Sequence, residues 1–285
     1  MNVQLRRGRP DDARICGLIC HEAFGAISSA HGFPNDFRSA ETAISLLSSR
    51  LHDPGFYSVV AEADGDVVGS NFMDERSPIA GIGPITVAPS VQDCGIGRLL
   101  MQDVLKRAAE RQAPGIRLLQ TTYHNRSLSL YTKLGFHVRE LMACMQGPPV
   151  HAVIPDYRVR VAAASDVAAC AALCARVHGH HRNGEVMGAV TDGTCLVVEH
   201  HGQLSWYSTG LAFDAHSVGE TNEDLKALIA AAPQFAGPGI LVPTANTDLF
   251  RWCLARGLRI VELLSLMTIG LYNQPTGSYL PSILY

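Results

Sequence analysis

The stretch ITVAPSVQDCGIGRLL, from Ile85 to Leu100, passes from an apolar segment through a proline and a polar turn with two glycines into a leucine pair that opens a helical pattern. A strand that turns into a helix presents backbone N–H groups to an anion. The first helical turn leaves its amides unpaired, and the helix dipole adds partial positive charge. Phosphate is therefore the first ligand to consider. Two familiar phosphate loops do not fit: the G-x-x-x-x-G-K-[ST] loop is absent, and the dinucleotide fingerprint fails because Leu100 stands where a third small residue belongs. Carboxylates form the second chemical group. Asp74 and Glu75 close an apolar strand pattern, and Asp36 and Glu41 lie in the segment from Ala26 to Tyr57. Together they would suit a cationic amine, or serve as solvated surface charges.

Periodicity predicts the elements that position these groups. They are a strand near 3–6, helices near 11–25 and 39–51, strands near 56–63, 66–73 and 82–88, a helix over 95–112, a strand over 116–122, a helix over 126–134 and a strand over 136–145. That is an α+β half with a mixed, mainly antiparallel sheet flanked by helices. The pattern recurs. LRRGRPDDARICGLIC (Leu5 to Cys20) lies on VRVAAASDVAACAALC (Val159 to Cys174) without a gap, pairing Arg6 with Arg160, Asp12 with Asp166, Cys16 with Cys170 and Cys20 with Cys174. LYTKLGFHVRELMACM (Leu130 to Met145) matches WCLARGLRIVELLSLM (Trp252 to Met267) as helix, glycine stop and apolar strand. The Gly and Pro residues of QGPPVHAVIPDY (Gln146 to Tyr157) read as an extended linker, so two tandem α+β folds are expected, over 1–150 and 151–285.

Gln92, Gly95 and Gly97 make the pattern Q-x-x-G-x-G, preceded by Val87-x-Pro89, which resembles the acetyl-CoA binding motif of the GCN5-related N-acetyltransferase (GNAT) superfamily. HNRSLSLYTKLGF, His124 to Phe136, is similar to that superfamily's second signature. The resemblance implies acetyl transfer from acetyl-CoA, as co-substrate, to an amine. It implies that the strand through Ile85 and Val87 splays from its neighbour to bind the pantetheine arm. The backbone of Gln92, Asp93, Cys94, Gly95, Ile96, Gly97 and Arg98 would cradle the pyrophosphate. His124 or Asn125, with Ser127 and Tyr131, would line the cofactor. His124 is a departure, because the signature has Asn seven residues before its Tyr and here Asn125 is displaced by one.

Such a reaction needs the amine made neutral, the thioester carbonyl polarised and the leaving thiolate protonated. By resemblance Tyr131 is the general acid, Glu75 the expected base with Asp74 second, and a backbone N–H near Val87 the polariser. Arg98 is either a phosphate contact or a solvated helix residue, and Cys94 a small loop residue. In the second half, DAHSVGETNEDLKALIAA (Asp214 to Ala232) puts Gly219 on Gly95 and Thr221 on Gly97 with no Gln before them. Glu220, Glu223 and Asp224 would repel a pyrophosphate there. Cys253 stands where the acidic Tyr would be, so this half resembles the degenerate domain of tandem GNAT proteins.

Of 285 residues 47% are hydrophobic and 17% charged, with a net charge of -3, enough for a sizeable core and a poor match to nucleic acid or an anionic membrane. No apolar run approaches a membrane span and no signal-peptide pattern opens the chain, so a cytoplasmic protein, monomer or homodimer, is expected. Eight cysteines without a C-x-x-C pair read as buried thiols in a reducing compartment. His178, His180 and His181 lack a second ligand cluster, so no metal site is expected. The expected acceptor is a small-molecule amine: an aminoglycoside-type antibiotic, which would make the activity one of antibiotic resistance, another amino sugar, or a polyamine. A protein or peptide acceptor and a non-catalytic acyl-CoA sensor are the alternatives.

Overall fold

The computed structural model describes residues 2–285, which form two compact units. One holds the residues up to Glu75 with 79–118 and 123–136; the other holds 76–78, 119–122 and 137–285.

In the first unit the elements are β1 (Val3–Arg7), α1 (Ala13–Ala30), α2 (Ala40–His52), β2 (Phe56–Ala63), β3 (Asp66–Asp74), β4 (Ala80–Ile82), β5 (Thr86–Val87), α3 (Ile96–Glu110), the start of β6 (Gly115–Thr121), whose residues from Leu119 on fall in the second unit, and α4 (Asn125–Lys133). The strands lie in the order β1-β2-β3-β4-β6, with β5 paired to β3; β4 and β6 run parallel and the other named pairs antiparallel. Cys16 and Cys20, one helical turn apart, share the buried face of α1 and pack with Ala43 and Leu47 of α2 against Val60 and Phe72 of the sheet.

The second unit contains β7 (His137–Gln146), β8 (Tyr157–Val161), α5 (Val167–His178), α6 (Asn183–Thr191), β9 (Leu196–His200), β10 (Gln203–Ser208), β11 (Ser217–Gly219), α7 (Asn222–Ala231), β12 (Ile240–Pro243), α8 (Thr247–Ala255), β13 (Arg259–Gly270) and β14 (Ser278–Leu280). One sheet runs β14-β11-β10-β9-β8, antiparallel throughout. In addition β7 lies between β12 and β13 and is antiparallel to both: Met145 faces Ile240 on one side and Ile260 on the other. Met142, Ala143, Cys144 and Met145 are fully buried, as a strand covered on both faces must be. No helix of the described residues is long and apolar enough to cross a membrane.

The two units repeat one device atom for atom. In the first, Arg6 donates from Nε to Glu62 (2.6 Å) and from both terminal nitrogens to Asp12 (2.7 and 2.8 Å), while Asp12 also accepts the Arg9 amide at 2.8 Å. In the second, Arg160 donates from Nε to Glu199 (2.7 Å) and in the same fork to Asp166 (2.7 and 3.0 Å), and Asp166 accepts the Ala163 amide at 2.8 Å. The fork ties the first strand to the start of the first helix, and its bidentate geometry makes it stronger than a single ion pair. Its acid anchors respond alike, since hydrogen bonds from Arg6 and Arg160 hold the Asp12 and Asp166 carboxyls below the usual range.

One expected element differs. The strand anticipated over 82–88 is broken into β4 and β5 at Gly83 and Pro84. The Gly83 amide still reaches Phe72 O of β3 at 2.9 Å, but Pro84 has no N–H to continue the ladder, and the Arg50 guanidinium takes Gly83 O at 2.7 Å.

Candidate active site

The break in the strand prepares an open edge. Ala80 and Gly81 of β4 pair with Ile116 and Arg117 of β6, whereas Thr86 and Val87 of β5 pair only with Ser70 and Gly69 of β3. Past the break, the backbone on the other side of β5 therefore has no partner strand among the described residues. Strand alternation turns Ile85 and Val87 to one face, where both are half-buried, and Thr86 to the other, where it is buried.

Eight residues, Ala88 to Gly95, join β5 to α3. Gln92 folds back so that its amide nitrogen donates to Val87 O at 3.0 Å. Asp93 (φ 65°) and Gly95 (φ 84°) take left-handed backbone conformations, and no heavy atom lies within 4 Å of a Cβ built on Gly95. Gly95 caps α3 without any side-chain hydrogen bond; the Arg98 amide turns back to Gly95 O at 3.1 Å, and the Ile96 and Gly97 amides at the head of the helix have no side-chain acceptor. Arg98 is exposed in the first turn, its side chain making no hydrogen bond or ion pair among the described residues, and Cys94 is exposed at the tip of the loop. The cradle fits a phosphate-bearing cofactor. A Cβ on Gly97 would lie 3.7 Å from Leu130 and 3.9 Å from Val87, so this glycine keeps a gap open between α4 and β5. Substituting Gly97 by Val is expected to weaken the binding of a phosphate-bearing cofactor in this cradle by about 10- to 100-fold through steric displacement. The fold itself should survive, which a thermal melt beside a binding titration would check.

From the far side Arg126 of α4 reaches the same loop, donating to both oxygens of Asp93 (3.0 and 2.9 Å) and to Gln92 Oε1 (2.5 Å). Sequence reasoning passed over this arginine. Its only sequence signal was a place beside Asn125, which is exposed at the start of α4. Tyr131 of α4 is buried at 7% exposure with its ring edge against Phe136. Burial pushes its phenol up to about 12, opposed by the Ser127 hydroxyl one turn earlier on the same helix face. Ser127 Oγ in turn lies 2.8 Å from His124 Nδ1. Both His124 and Ser127 are half-buried.

The carboxylates separate. Asp74 is the last residue of β3 and Glu75 the first beyond it. Asp74 is 5% exposed at the end of β3. Glu75 is bound by α3: Arg107 donates to both of its oxygens (2.8 and 3.1 Å), and Arg111 lies 3.6 Å away. Glu41 is exposed in the first turn of α2, behind the Ser39 cap. Asp36 is half-buried in the loop before that helix, and burial raises its carboxyl to about 6. Thus Gln92 to Arg98 come together with the α4 residues through Arg126 and Gly97, while Glu41 is not joined to them by any contact.

The raised Asp36 value carries a sign. The folded state holds its proton more tightly than an ordinary carboxyl, which titrates near 3.8, so folding is penalised above pH 6 and the penalty fades as pH falls toward 4. Asp36→Asn is expected to stabilise the protein at pH 7.5 by about 1–3 kcal/mol, discounted for partial exposure, and to give almost no gain near pH 4. Urea midpoints at the two pH values measure this.

The model of the acetyltransferase (GNAT) family matches residues 26–136. That stretch, under half of the chain, is similar to the GNAT family. The mycothiol acetyltransferase of Thermomonospora curvata is 31% identical over 109 residues, 37% of this chain and 37% of that protein, so the match spans little over a third of the relative's length. Two solved structures share the fold at 16% identity. One is a protein from Pyrococcus horikoshii described as an acetyltransferase, with a TM-score of 0.74 covering 97% of this chain and 94% of that one. The other is a GCN5-related N-acetyltransferase from Sphaerobacter thermophilus, with a TM-score of 0.63 covering 95% and 96%.

Against the GNAT unit, the second unit differs in a way that a residue-for-residue alignment misplaced. Gly219 is the last residue of β11, opposite Trp206, where Val87 stands opposite Gly69 in the first unit. Only Glu220 and Thr221 then separate β11 from α7. The loop is therefore missing, not merely substituted. A Cβ on Gly219 would fall 1.5 Å from the Trp206 ring, so the indole fills the space on that side. The head of α7 is capped by its own chain: Thr221 Oγ1 accepts the Asp224 amide at 3.3 Å and Asp224 accepts the Thr221 amide at 3.1 Å. Asn246 caps α8, and Cys253 is buried in the core.

Proposed function

We propose that the protein is an acetyl-CoA dependent N-acetyltransferase in which residues 1–150 carry the reaction and 151–285 form a degenerate GNAT-like copy. The contrast between an uncapped, loop-led α3 and a self-capped α7 carries this reading, with the matched Arg6 and Arg160 forks supporting a tandem origin.

In this reading the open edge of β5 at Ile85 and Val87 holds the pantetheine arm as an added strand, and the amides from Gln92 to Gly97 with Arg98 hold the pyrophosphate. Acetyl-CoA supplies the acetyl group as a thioester. A backbone N–H near Val87 polarises the carbonyl, and Tyr131 protonates the leaving sulfur. Of the carboxylate pair, Glu75 spends both oxygens on Arg107, which leaves the base to Asp74. His124, Asn125 and Ser127 line the α4 side. Asp36 and Glu41 add negative charge that would attract a cationic acceptor in the cytoplasm.

The acceptor is a primary amine of a small molecule, with amino sugars, aminoglycoside-type antibiotics and polyamines as the classes to test. The name of the curated relatives adds deacetylated mycothiol to that panel. Release of CoA thiol from acetyl-CoA, measured across these acceptors and short peptides, decides the matter. Turnover confined to one small-amine class supports the reading. Turnover on peptides alone, or tight acetyl-CoA binding without release on any acceptor, overturns it.

A further inference from the structure

Tyr131 lies too deep to recover a proton directly from water, and burial makes its phenolate costly. A path nevertheless leads outward along α4. Ser127 is one turn before Tyr131 on the same helix face, and His124 sits at the head of the helix with Nδ1 at 2.8 Å and Nε2 at 3.4 Å from Ser127 Oγ, so that Nδ1 makes the closer contact. Exposure increases along that series, from buried Tyr131 to half-buried Ser127 and His124 and then to exposed Asn125 and Arg126.

We propose that His124 and Ser127 form a proton relay that resupplies Tyr131 during acetyl transfer. The inference rests on the general-acid role given to Tyr131 above. As the carbon–sulfur bond of the thioester breaks, the sulfur takes the Tyr131 proton and becomes a thiol. Tyr131 takes the Ser127 hydroxyl proton, Ser127 takes the proton on His124 Nδ1, and His124 Nε2 takes one from water. The proton released when the acceptor nitrogen forms its amide bond returns to solvent, so atoms and charge balance without a further reactant. No buried phenolate has to persist.

The imidazole is suited to this work. Burial, the Arg126 guanidinium and His31 at the end of α1 lower its pKa to about 4, so at neutral pH one ring nitrogen carries a proton and the other accepts. An asparagine, the residue usual at this place in the signature, can bond to Ser127 but cannot pass a proton on. His124 and Ser127 are thus positioning residues that act through Tyr131.

The test compares His124→Asn, His124→Ala and Ser127→Ala with wild type and with Tyr131→Phe, using acetyl-CoA and whichever amine the panel identifies. The relay predicts that kcat falls about 10-fold in each of the first three while the KM for acetyl-CoA stays within about two-fold. It also predicts that added imidazole restores His124→Ala. The proton inventory in mixed H2O and D2O should be curved for wild type, with several protons in flight, and linear for His124→Asn. Wild-type kcat in His124→Asn and Ser127→Ala, or a loss that imidazole does not restore with the inventory unchanged, overturns the relay while a slow Tyr131→Phe leaves the acid role standing. A fully active Tyr131→Phe instead removes the acid role on which the relay depends.

Discussion

Replacing Tyr131 by Phe is expected to lower kcat by about 10²- to 10³-fold while leaving the KM for acetyl-CoA nearly unchanged. The substitution removes one oxygen from a ring that stays packed on Phe136, so the fold and the cofactor cradle around Gly95 are untouched. In the proposed mechanism what is lost is the proton for the leaving thiolate, an interaction made only as the thioester breaks. The pH profile should show the same division. With its phenol pushed up to about 12, Tyr131 remains protonated through the ordinary working range, so wild-type kcat should rise with pH as the acceptor amine loses its proton and show no fall attributable to Tyr131 below about pH 11. A profile that declines between pH 8 and 9 would count against a protonated Tyr131 as donor.

The second large effect lies outside the GNAT unit. Within the second unit Arg182 is buried and forks onto Glu185 at 2.8 and 2.5 Å, Ser77 donates to the same carboxylate at 3.1 Å, His216 Nδ1 lies 3.3 Å from it, and Tyr207 OH is 3.0 Å from His216 Nε2. Burial alone would raise the Glu185 carboxyl, but Arg182 and His216 outweigh it and hold the group well below the usual range. Arg182→Ala strands that charge in the interior and should destabilise the unit by about 3–5 kcal/mol. Converting the pair to Met and Leu together should recover much of the loss, since the gain from a buried ion pair is largely cancelled by its desolvation. Both tryptophans, Trp206 and Trp252, lie in this unit, so urea unfolding followed by tryptophan fluorescence reads it directly.

Acid should act on the same cluster. Burial first, and then Arg182, lower the His216 imidazole from 6.5 to about 4, so the folded state keeps it neutral. The unfolded chain takes up that proton first, and the stability present above pH 6.5 should drain away as pH falls toward 4. Glu185, held low, adds a further loss below the ordinary carboxyl range.

What the sequence disclosed and what it withheld follow one rule. Contacts between residues a few positions apart were readable: the turn at Gly95, the Asp12 and Asp166 anchors, and the shared face of Cys16 and Cys20 all come from local periodicity. The Arg6 and Arg160 forks were visible as a repeat because matched residues make matched bonds. Contacts across the fold were not readable. Nothing in the run FMDERSP says that Glu75 meets the end of α3, because that meeting depends on where β3 ends relative to two arginines more than thirty residues later. The missing loop of the second unit was hidden for a related reason: an ungapped alignment can register a changed residue, but it absorbs a deletion by sliding, which placed Gly219 in a turn when it belongs to a strand. The apolar run at Met142 announced a strand without saying that both its faces are covered or naming its neighbours.

Those neighbours set an order of events during synthesis. β7 leaves the ribosome well before β12 and β13, the two strands that flank it, have been translated. Until then its amides and carbonyls, and the apolar side chains between Met142 and Met145, must wait without their permanent company. A chain released early, or a gene divided in the linker after Gln146, would leave β7 with two bare edges of the kind that recruit other chains. The protein reads as two halves on paper, but β7 makes the nascent polypeptide a single commitment, completed only when its last strands arrive.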